Sequence, residues 1–176
     1  MQRTPQAWRW FTQACAILGI RGTDLGKTGI VAGITFLLSQ LSKFYIVDYL
    51  DLKNKFAIDV LPPFLNFRMG WNRGINFGLF SGEQWVLIAV AVVISGAILW
   101  YARHFQGWFA ALFLGSIIGG ALSNSLDRIL HGAVADFLNM SCCGIDNPFA
   151  FNVADIFVAL GALGLIIFSE KLKNRA

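Results

Sequence analysis

Six polar side chains in the region 115–155 stand out because their neighbours are apolar; they are Asn124, Asp127, Arg128, Asp136, Asn152 and Asp155. Ionisable groups at or near hydrocarbon are costly and usually face a cavity or each other. Two carboxylates that share a site hold one proton between them, so one can act as general base on a water while the other donates a proton. Asp136 and Asp155 are therefore the candidate catalytic pair, in an arrangement that needs neither a metal nor a cofactor.

The composition indicates a membrane protein. Apolar residues make up 56% of the 176 positions, charged residues only 14%, and the mean hydropathy is +0.61. Soluble domains have about 45–50% apolar and about 25% charged residues. The net charge of +4 does not indicate a nucleic-acid partner, because the basic residues flank the apolar stretches. We expect a monomeric membrane domain in contact with membrane lipid.

Four apolar stretches are long enough to cross a bilayer, which takes about 20 helical residues. They lie at residues 28–47, 84–102, 107–126 and 149–168, and together define a membrane domain over 28–168. Residues 1–27 are predicted to form a cytoplasmic segment at the interface, because their apolar run is too short to span. Residues 169–176 are predicted to form a basic cytoplasmic tail.

Lysine and arginine are distributed unevenly between the connecting segments. Eight lie on the side of the two termini, and five lie in the longer opposite loops, 48–83 and 127–148. The positive-inside rule therefore places both termini in the cytoplasm and the candidate site on the outer face. Lys43, near the end of the first span, is expected to extend its side chain to the interface.

The outer loop 48–83 is predicted to contain a small sheet. Phe56, Ile58 and Val60 alternate with polar or small residues, which is typical of a half-buried strand, and 64–68 can form a second extended piece. The expected fold class is an all-α membrane protein with four transmembrane helices, and with a small extracytoplasmic β-sheet and a loop over the active site.

Small residues recur every four positions in the third span. They form two rows, Gly115/Gly119/Ser123 and Ser116/Gly120/Asn124. Such rows let membrane helices approach closely. Asp127 and Arg128 continue the same face at helical spacing from Asn124. The packing face is therefore expected to end in a polar cluster at the outer interface.

Structural roles would also account for the polar residues. Asn152 and Asp155 fit the N-cap and first-turn positions of the fourth helix, where both types are favoured without any catalysis. Asp136, at the entry to a loop, can be a solvated carboxylate, and Asp127 with Arg128 can be a structural ion pair. Residue types and spacing alone leave these alternatives open.

Four ordered motifs, at 72–77, 119–128, 132–137 and 151–155, resemble those of the lipoprotein signal peptidase (signal peptidase II) family. The resemblance extends from the first span onward. It implies an aspartic endopeptidase of the bacterial inner membrane, without cofactor or metal. Such enzymes remove signal peptides from diacylglyceryl-modified prolipoproteins, cutting before the lipidated cysteine at the outer face. The resemblance implies Asp136 and Asp155 as the catalytic pair. As substrate-binding residues it implies Asn72, Gly74, Asn124, Asp127, Arg128 and Asn152.

The sequence also departs from the family's usual motifs. Ser39 stands where the family usually has aspartate in its Asp-Gln-x-Ser-Lys motif. Ile75 and Asn76 replace an Ala-Ala pair, and Ser123 replaces a usual glycine. These departures keep a non-proteolytic, lipoprotein-binding paralogue as an alternative.

Two mechanisms from other classes compete with the aspartate pair. Cys142 and Cys143, with His131 near in sequence, suggest a thiol protease, although a thiol nucleophile needs a positioned base and adjacent cysteines do not bridge without strain. A small four-helix carrier or proton relay would use the two aspartates as titrating groups. Transporters, however, usually place polar residues near the midplane and contain internal repeats. Cys15 is predicted to be a packing residue on the reducing side.

Overall fold

The computed structural model describes residues 22–74, 84–102, 105, 107–144 and 147–173. The helices are α1 (Gly22–Lys43), α2 (Leu52–Lys55), α3 (Gln84–Ala102), α4 (Trp108–His131) and α5 (Val153–Lys173), and the strands are β1 (Ala57–Leu61), β2 (Leu65–Asn72) and β3 (Val134–Asn139). A π-helical segment, Phe44–Tyr49, continues α1. The predicted interfacial segment with Cys15 falls mostly on residues 1–21, and the predicted loop over the site falls on 75–83; both lie outside the described residues.

The long helices carry the four apolar stretches. Among the described residues, Leu25–Tyr49 and Trp108–His131 are long and apolar enough to cross a bilayer, and shorter apolar runs lie at Gln84–Trp100 and Val153–Phe168. The outer faces of the helices expose large apolar side chains such as Val93 and Ile166. A surface of this kind suits lipid as the surrounding solvent rather than water.

The two rows of small residues in α4 pack against different helices. A Cβ atom at Gly115 would lie 2.6 Å from Cβ of Val31 in α1. One at Gly120 would lie 2.7 Å from the carbonyl oxygen of Ala154 in α5. Backbones this close require glycine. The predicted packing face is confirmed, and it makes α4 the helix between α1 and α5.

The predicted sheet is present at the end of the bundle where α1 and α4 end and α3 and α5 begin. Its order is β1-β2-β3, with both pairs antiparallel. Asn72 at the end of β2 pairs with Val134, and Gly70 pairs with Asp136. The last residues of β2 therefore lie beside the middle of β3.

The third strand was not predicted, because β3 lies in what the sequence suggested was an irregular loop. All its residues except Leu138 are buried, so the alternation of polar and apolar residues that indicates a half-buried strand is missing. Phe137, fully buried, packs with Ala135 against Ile46 and Val47 of the π-helical segment and Leu52 of α2. The placement of Asp136 at a loop entry was therefore wrong: it is a buried strand residue.

Candidate active site

Asp136 is only 4% exposed, and its carboxylate is held by two asparagine amides. Nδ2 of Asn72 donates to Oδ2 at 3.0 Å, and Nδ2 of Asn152 donates to Oδ1 at 2.6 Å. Burial, and after it the negative charge of Asp155, raise the pKa of Asp136 from 3.8 to about 6, against the opposing effect of the two amide donors. Asp136 therefore keeps a proton to a higher pH than an ordinary aspartate.

Asp155 lies in the first turn of α5 and Asn152 directly before the helix, at the positions that the sequence predicted, and the two residues cap the helix reciprocally. Oδ1 of Asn152 accepts from the backbone N–H groups of Ala154 at 2.8 Å and Asp155 at 3.2 Å. Oδ2 of Asp155 accepts from the backbone N–H of Asn152 at 3.1 Å. The other oxygen, Oδ1, accepts from Nδ2 of Asn124 at 2.8 Å.

The start of α5 is brought to the sheet by a short backbone pairing. Leu138 and Phe151 donate to each other's carbonyl groups at 2.7 and 3.0 Å. Asn152 follows Phe151 directly and is fully buried. Its side chain therefore contacts Asp136, while its backbone and side chain together contact Asp155. One asparagine thus links the two carboxylates.

The two asparagines that join the helices to the carboxylates have amides oriented by their other partners. Oδ1 of Asn152 is occupied by backbone N–H groups, which leaves Nδ2 for Asp136. Oδ1 of Asn124 accepts from Nζ of Lys43 at 2.9 Å. Because an ammonium group only donates, Nδ2 of Asn124 must point to Asp155. Each carboxylate therefore faces a donor whose direction is fixed elsewhere in the fold.

Lys43 does not extend to the interface, so that prediction was wrong. The residue is 5% exposed and turns inward, where Nζ lies 2.8 Å from Oδ2 of Asp127. Gln40 donates to the other oxygen of Asp127 at 3.1 Å, and the backbone N–H of Ala135 donates to Oδ2 at 3.2 Å. The ion pair with the buried carboxylate of Asp127 compensates the ammonium group for its burial. Asp127 is thus enclosed by donors from α1 and β3, and its ion pair is with Lys43 rather than Arg128.

Arg128 reaches across the site to the end of β2. Its Nη2 donates to the carbonyl oxygen of Gly74 at 3.0 Å, and its Nη1 donates to that of Asn124 at 3.4 Å. The N–H of Gly74 in turn donates to Oδ1 of Asn72 at 3.1 Å. Arg128 therefore ties α4 to the turn that presents Asn72 to Asp136. Within the described residues, Nε of Arg128 is buried without an acceptor.

A cavity of about 800 Å³ opens between β2 and the loop that follows β3. Among the predicted site residues, Asn72, Gly74 and Asp136 line it. Its other walls include polar groups such as Arg68 and Asn139 together with Trp71 and Phe149.

The thiols lack the features of an activated nucleophile. Cys142 and Cys143 are exposed, and a hydrogen bond to Cys143, more than burial, raises the pKa of Cys142. Activation requires a lowered pKa. His131 packs against Trp71, with ring centroids 5.5 Å apart. In the described part of the chain, no three His, Cys, Asp or Glu side chains form a group that could hold a metal ion.

The structure brings Asn72, Asn124 and Asn152 to the two aspartates, with Arg128 and Gly74 beside them. Lys43 and Gln40 were not assigned to the site from the sequence. A signal was available, because a lysine in an apolar span is costly unless it faces a partner. Its partner, Asp127, lies 84 positions further along the chain, and only the packing of α1 on α4 brings them together.

Comparison with known proteins gives the same assignment as the motifs. The family model for signal peptidase (SPase) II matches residues 31–171. The chain belongs to the signal peptidase II family. A lipoprotein signal peptidase of Rhodopseudomonas palustris is 38% identical over 149 residues, 80% of this chain and 90% of its own length. One of Methylorubrum extorquens is 36% identical over 156 residues, 85% and 90% of the two chains.

Solved structures agree with this membership of the signal peptidase II family. One bacterial membrane enzyme is 27% identical, with a TM-score of 0.70, over 83% of this chain and 88% of the other. A second is 28% identical, with a TM-score of 0.66, over 81% and 91%. The family resemblance found in the motifs is confirmed. As a signal peptidase II family member, the chain is a hydrolase of peptide bonds and a membrane protein.

Proposed function

We propose that this chain removes signal peptides from diacylglyceryl-modified prolipoproteins, cutting before the lipidated cysteine with water activated by Asp136 and Asp155. The observation that carries the proposal is that Asn152 contacts both carboxylates, through its amide to Asp136 and its capping contacts to Asp155. Two carboxylates around one buried residue can share a proton. The lipoprotein signal peptidases that the chain matches give the substrate class.

In the proposed mechanism the shared proton resides on Asp136, and Asp155 is the base. The carboxylate of Asp155 lies in the first turn of α5 and accepts from the N–H of Asn152 and from the amide of Asn124. It removes a proton from water, whose oxygen attacks the scissile carbonyl carbon. Asp136 gives its proton to the departing nitrogen as the carbon–nitrogen bond breaks. The pair then regains its starting protonation by exchange with solvent.

Three further residues are proposed to hold the peptide near the scissile bond. The turn at Asn72 and Gly74 borders the cavity and is held by Arg128. Within the described residues the Nε–H donor of Arg128 is buried without an acceptor, and a substrate carbonyl oxygen could accept from it. Asn124 and Asn152 would act through the carboxylates, and Asp127 is assigned a supporting role rather than substrate contact.

The proposed setting is the bacterial inner membrane, with a monomer, four transmembrane helices, both termini cytoplasmic and the site at the outer face. The apolar outer surfaces of the helices and the basic residues near the termini support it. The signal peptide would lie in the bilayer beside the helices. Its cleavage site would then meet the aspartates at the end of the bundle that carries the sheet.

The decisive experiment is cleavage of a diacylglyceryl-modified prolipoprotein by the purified chain in detergent, with the unmodified precursor as control. We expect cleavage of the modified precursor only. Asp136→Asn and Asp155→Asn should each nearly abolish it, because removing either member disables the pair. A folded chain that binds the modified precursor without cutting it would instead indicate a non-proteolytic paralogue.

A further inference from the structure

Lys43 lies at the junction between α1 and the π-helical segment, close to both halves of the aspartate pair. Its ammonium group contacts Asp127 at 2.8 Å, Oδ1 of Asn124 at 2.9 Å and Oγ of Ser123 at 3.3 Å. The next two residues, Phe44 and Tyr45, are exposed. The side chains directly after Lys43 therefore point outward. The side chain of Lys43 itself points inward, to the site.

The side chain of Asn124 has no other fixed partner in the described contacts that would orient its amide. Arg128 donates to the backbone carbonyl of Asn124, which leaves the side chain unaffected. Rotation of the amide by 180° would turn Oδ1 toward the carboxylate of Asp155 and replace a hydrogen bond with a repulsion. Lys43 prevents this rotation. Its ammonium group has three N–H donors and no acceptor, so it can contact Oδ1 of Asn124 but not Nδ2.

The ion pair also reaches the other carboxylate. Asp127, the partner of Lys43, accepts from the backbone N–H of Ala135, which directly precedes Asp136 in β3. Gln40 holds the second oxygen of Asp127 and also contacts Ser123. Gln40 and Lys43 of α1 thus contact α4 directly and are linked to β3 through Asp127, close to the two aspartates.

We propose that Lys43 is a positioning residue for the reaction: its ammonium group fixes the amide of Asn124 so that Nδ2 donates to Asp155, and its ion pair with Asp127 holds β3 beside Asp136. This inference rests on the proposed function. It assigns a role in the chemistry to α1, a helix that contains no catalytic group.

The test must separate positioning from the cost of an unpaired buried carboxylate. Lys43→Met alone would leave Asp127 uncompensated, and the chain can fail to fold for that reason. The double variant Lys43→Met/Asp127→Asn removes both charges and retains the volume. Lys43→Gln also leaves Asp127 charged, but its amide can still donate to that carboxylate. Because this amide can either donate or accept, it no longer dictates the orientation of Asn124. Lys53→Met, at an exposed lysine paired with Asp48, is the matched control.

We expect the double variant to keep a wild-type melting temperature in detergent and a KM within about threefold. Its kcat should fall about tenfold to a hundredfold, the effect of losing a hydrogen bond to a charged group. Lys43→Gln should show the same fall, Lys43→Arg should recover part of the loss, and Lys53→Met should leave kcat unchanged.

The pH profile gives a second measurement. Lys43 faces the carboxylates of Asp127, Asp136 and Asp155, with Arg128 on the other side of the site, and its charge opposes the rise in the pKa of Asp136. The basic limb of kcat/KM should therefore move to higher pH in Lys43→Gln, which removes this positive charge and leaves Asp127 in place. Wild-type kcat in a folded double variant, or in Lys43→Gln, would overturn the role of Lys43. Failure of the wild-type chain to cut the lipid-modified precursor would instead refute the proposed function.

Discussion

Asn152 donates its side-chain amide to Asp136 at 2.6 Å, and both residues are buried. The same asparagine caps α5 through its side-chain oxygen. One residue therefore starts a helix with one end of its amide and holds a catalytic candidate with the other. The two functions can be separated by substitution.

Asn152→Ser should keep the helix cap and lose the donor to Asp136. We expect kcat to fall at least tenfold, because serine caps helices well but is too short to replace the amide. Asn152→Ala should lose both functions and should be about 1 kcal/mol less stable than Asn152→Ser, which keeps the cap. Thermal unfolding and cleavage of the lipid-modified precursor are measured on both variants. Equal activity of Asn152→Ser and wild type would show that the contact with Asp136 is dispensable.

The pH dependence follows from the raised pKa of Asp136, about 6. If Asp136 supplies a proton, kcat/KM should fall above about pH 6, approaching tenfold per pH unit, as the protonated form is lost. Stability changes in the same direction. Between pH 4 and 6, roughly, the native state keeps a proton that the unfolded chain has lost, so the free energy of unfolding falls as the pH rises, by about 3 kcal/mol in all.

Asp136→Asn removes this contribution, so its melting temperature relative to wild type should rise with pH through that range. Asp59→Asn, at an exposed carboxylate of the same sheet, is the control for removal of a carboxylate outside the site. A kcat/KM that stays flat or increases up to pH 8 would contradict the assignment of the proton to Asp136.

Arg128→Ala should lower kcat/KM strongly, because the link from α4 to the carbonyl of Gly74 is lost. Arg128→Lys should restore little of it. One ammonium group cannot reach both Gly74 and Asn124 with the planar geometry of a guanidinium group. Cleavage rates of the wild type, Arg128→Ala and Arg128→Lys are compared at the same two concentrations of the lipid-modified precursor, one saturating and one subsaturating. Full recovery with lysine would reduce the role of Arg128 to its charge.

Gly120→Ala should impair the site from within the helix bundle. The added methyl would lie 2.7 Å from the carbonyl oxygen of Ala154, the residue before Asp155, and 2.8 Å from Cγ2 of Val158. Such overpacking costs about 1–3 kcal/mol and would displace the start of α5 from Asn124. Gly29→Ala in α1, where an added Cβ meets nothing within 4 Å, is the control and should be neutral. Melting temperature and kcat are both measured; unchanged values for Gly120→Ala would show that α5 moves freely.

Replacing Cys142 and Cys143 together with alanine should leave most of the activity. Both thiols are exposed, and the pKa of Cys142 is raised rather than lowered. The assay is cleavage of the lipid-modified precursor before and after treatment of the wild type with a thiol-alkylating reagent. Loss of activity in a folded double variant that still binds substrate would favour the thiol mechanism.

The parts of this protein that could be predicted from its sequence are those determined locally. Apolar runs predicted the long helices, and the four-residue spacing of small residues predicted the close contacts of α4. The spacing of Asn152 and Asp155 predicted the cap of α5. Each of these signals lies within one segment of chain. The strand around Asp136 was missed because burial on both faces removes the alternation that identifies a strand.

The partners of charged side chains could not be predicted in this way. Lys43 lies directly before the exposed aromatic residues Phe44 and Tyr45, and by local criteria the interface was the favourable place for its ammonium group. The position of Asp127 is set by the packing of two helices that are far apart in sequence. Tertiary structure therefore decides whether the ammonium group of Lys43 lies at the interface or in an ion pair. The local sequence around Lys43 does not show that Asp127 lies nearby.

The order of the contacts has a consequence for biosynthesis. Lys43, Asn72, Asn124 and Asp136 all lie well before α5, whereas Asn152 directly precedes this helix and Asp155 lies in its first turn. A nascent chain emerges from the ribosome N-terminus first, so the earlier residues can be inserted and packed while the base of the pair is still missing. Under the proposed mechanism, a chain that ends before α5 would hold Asp136 and its amide donor Asn72 but would lack the base, and activity would first become possible when α5 docks on α4.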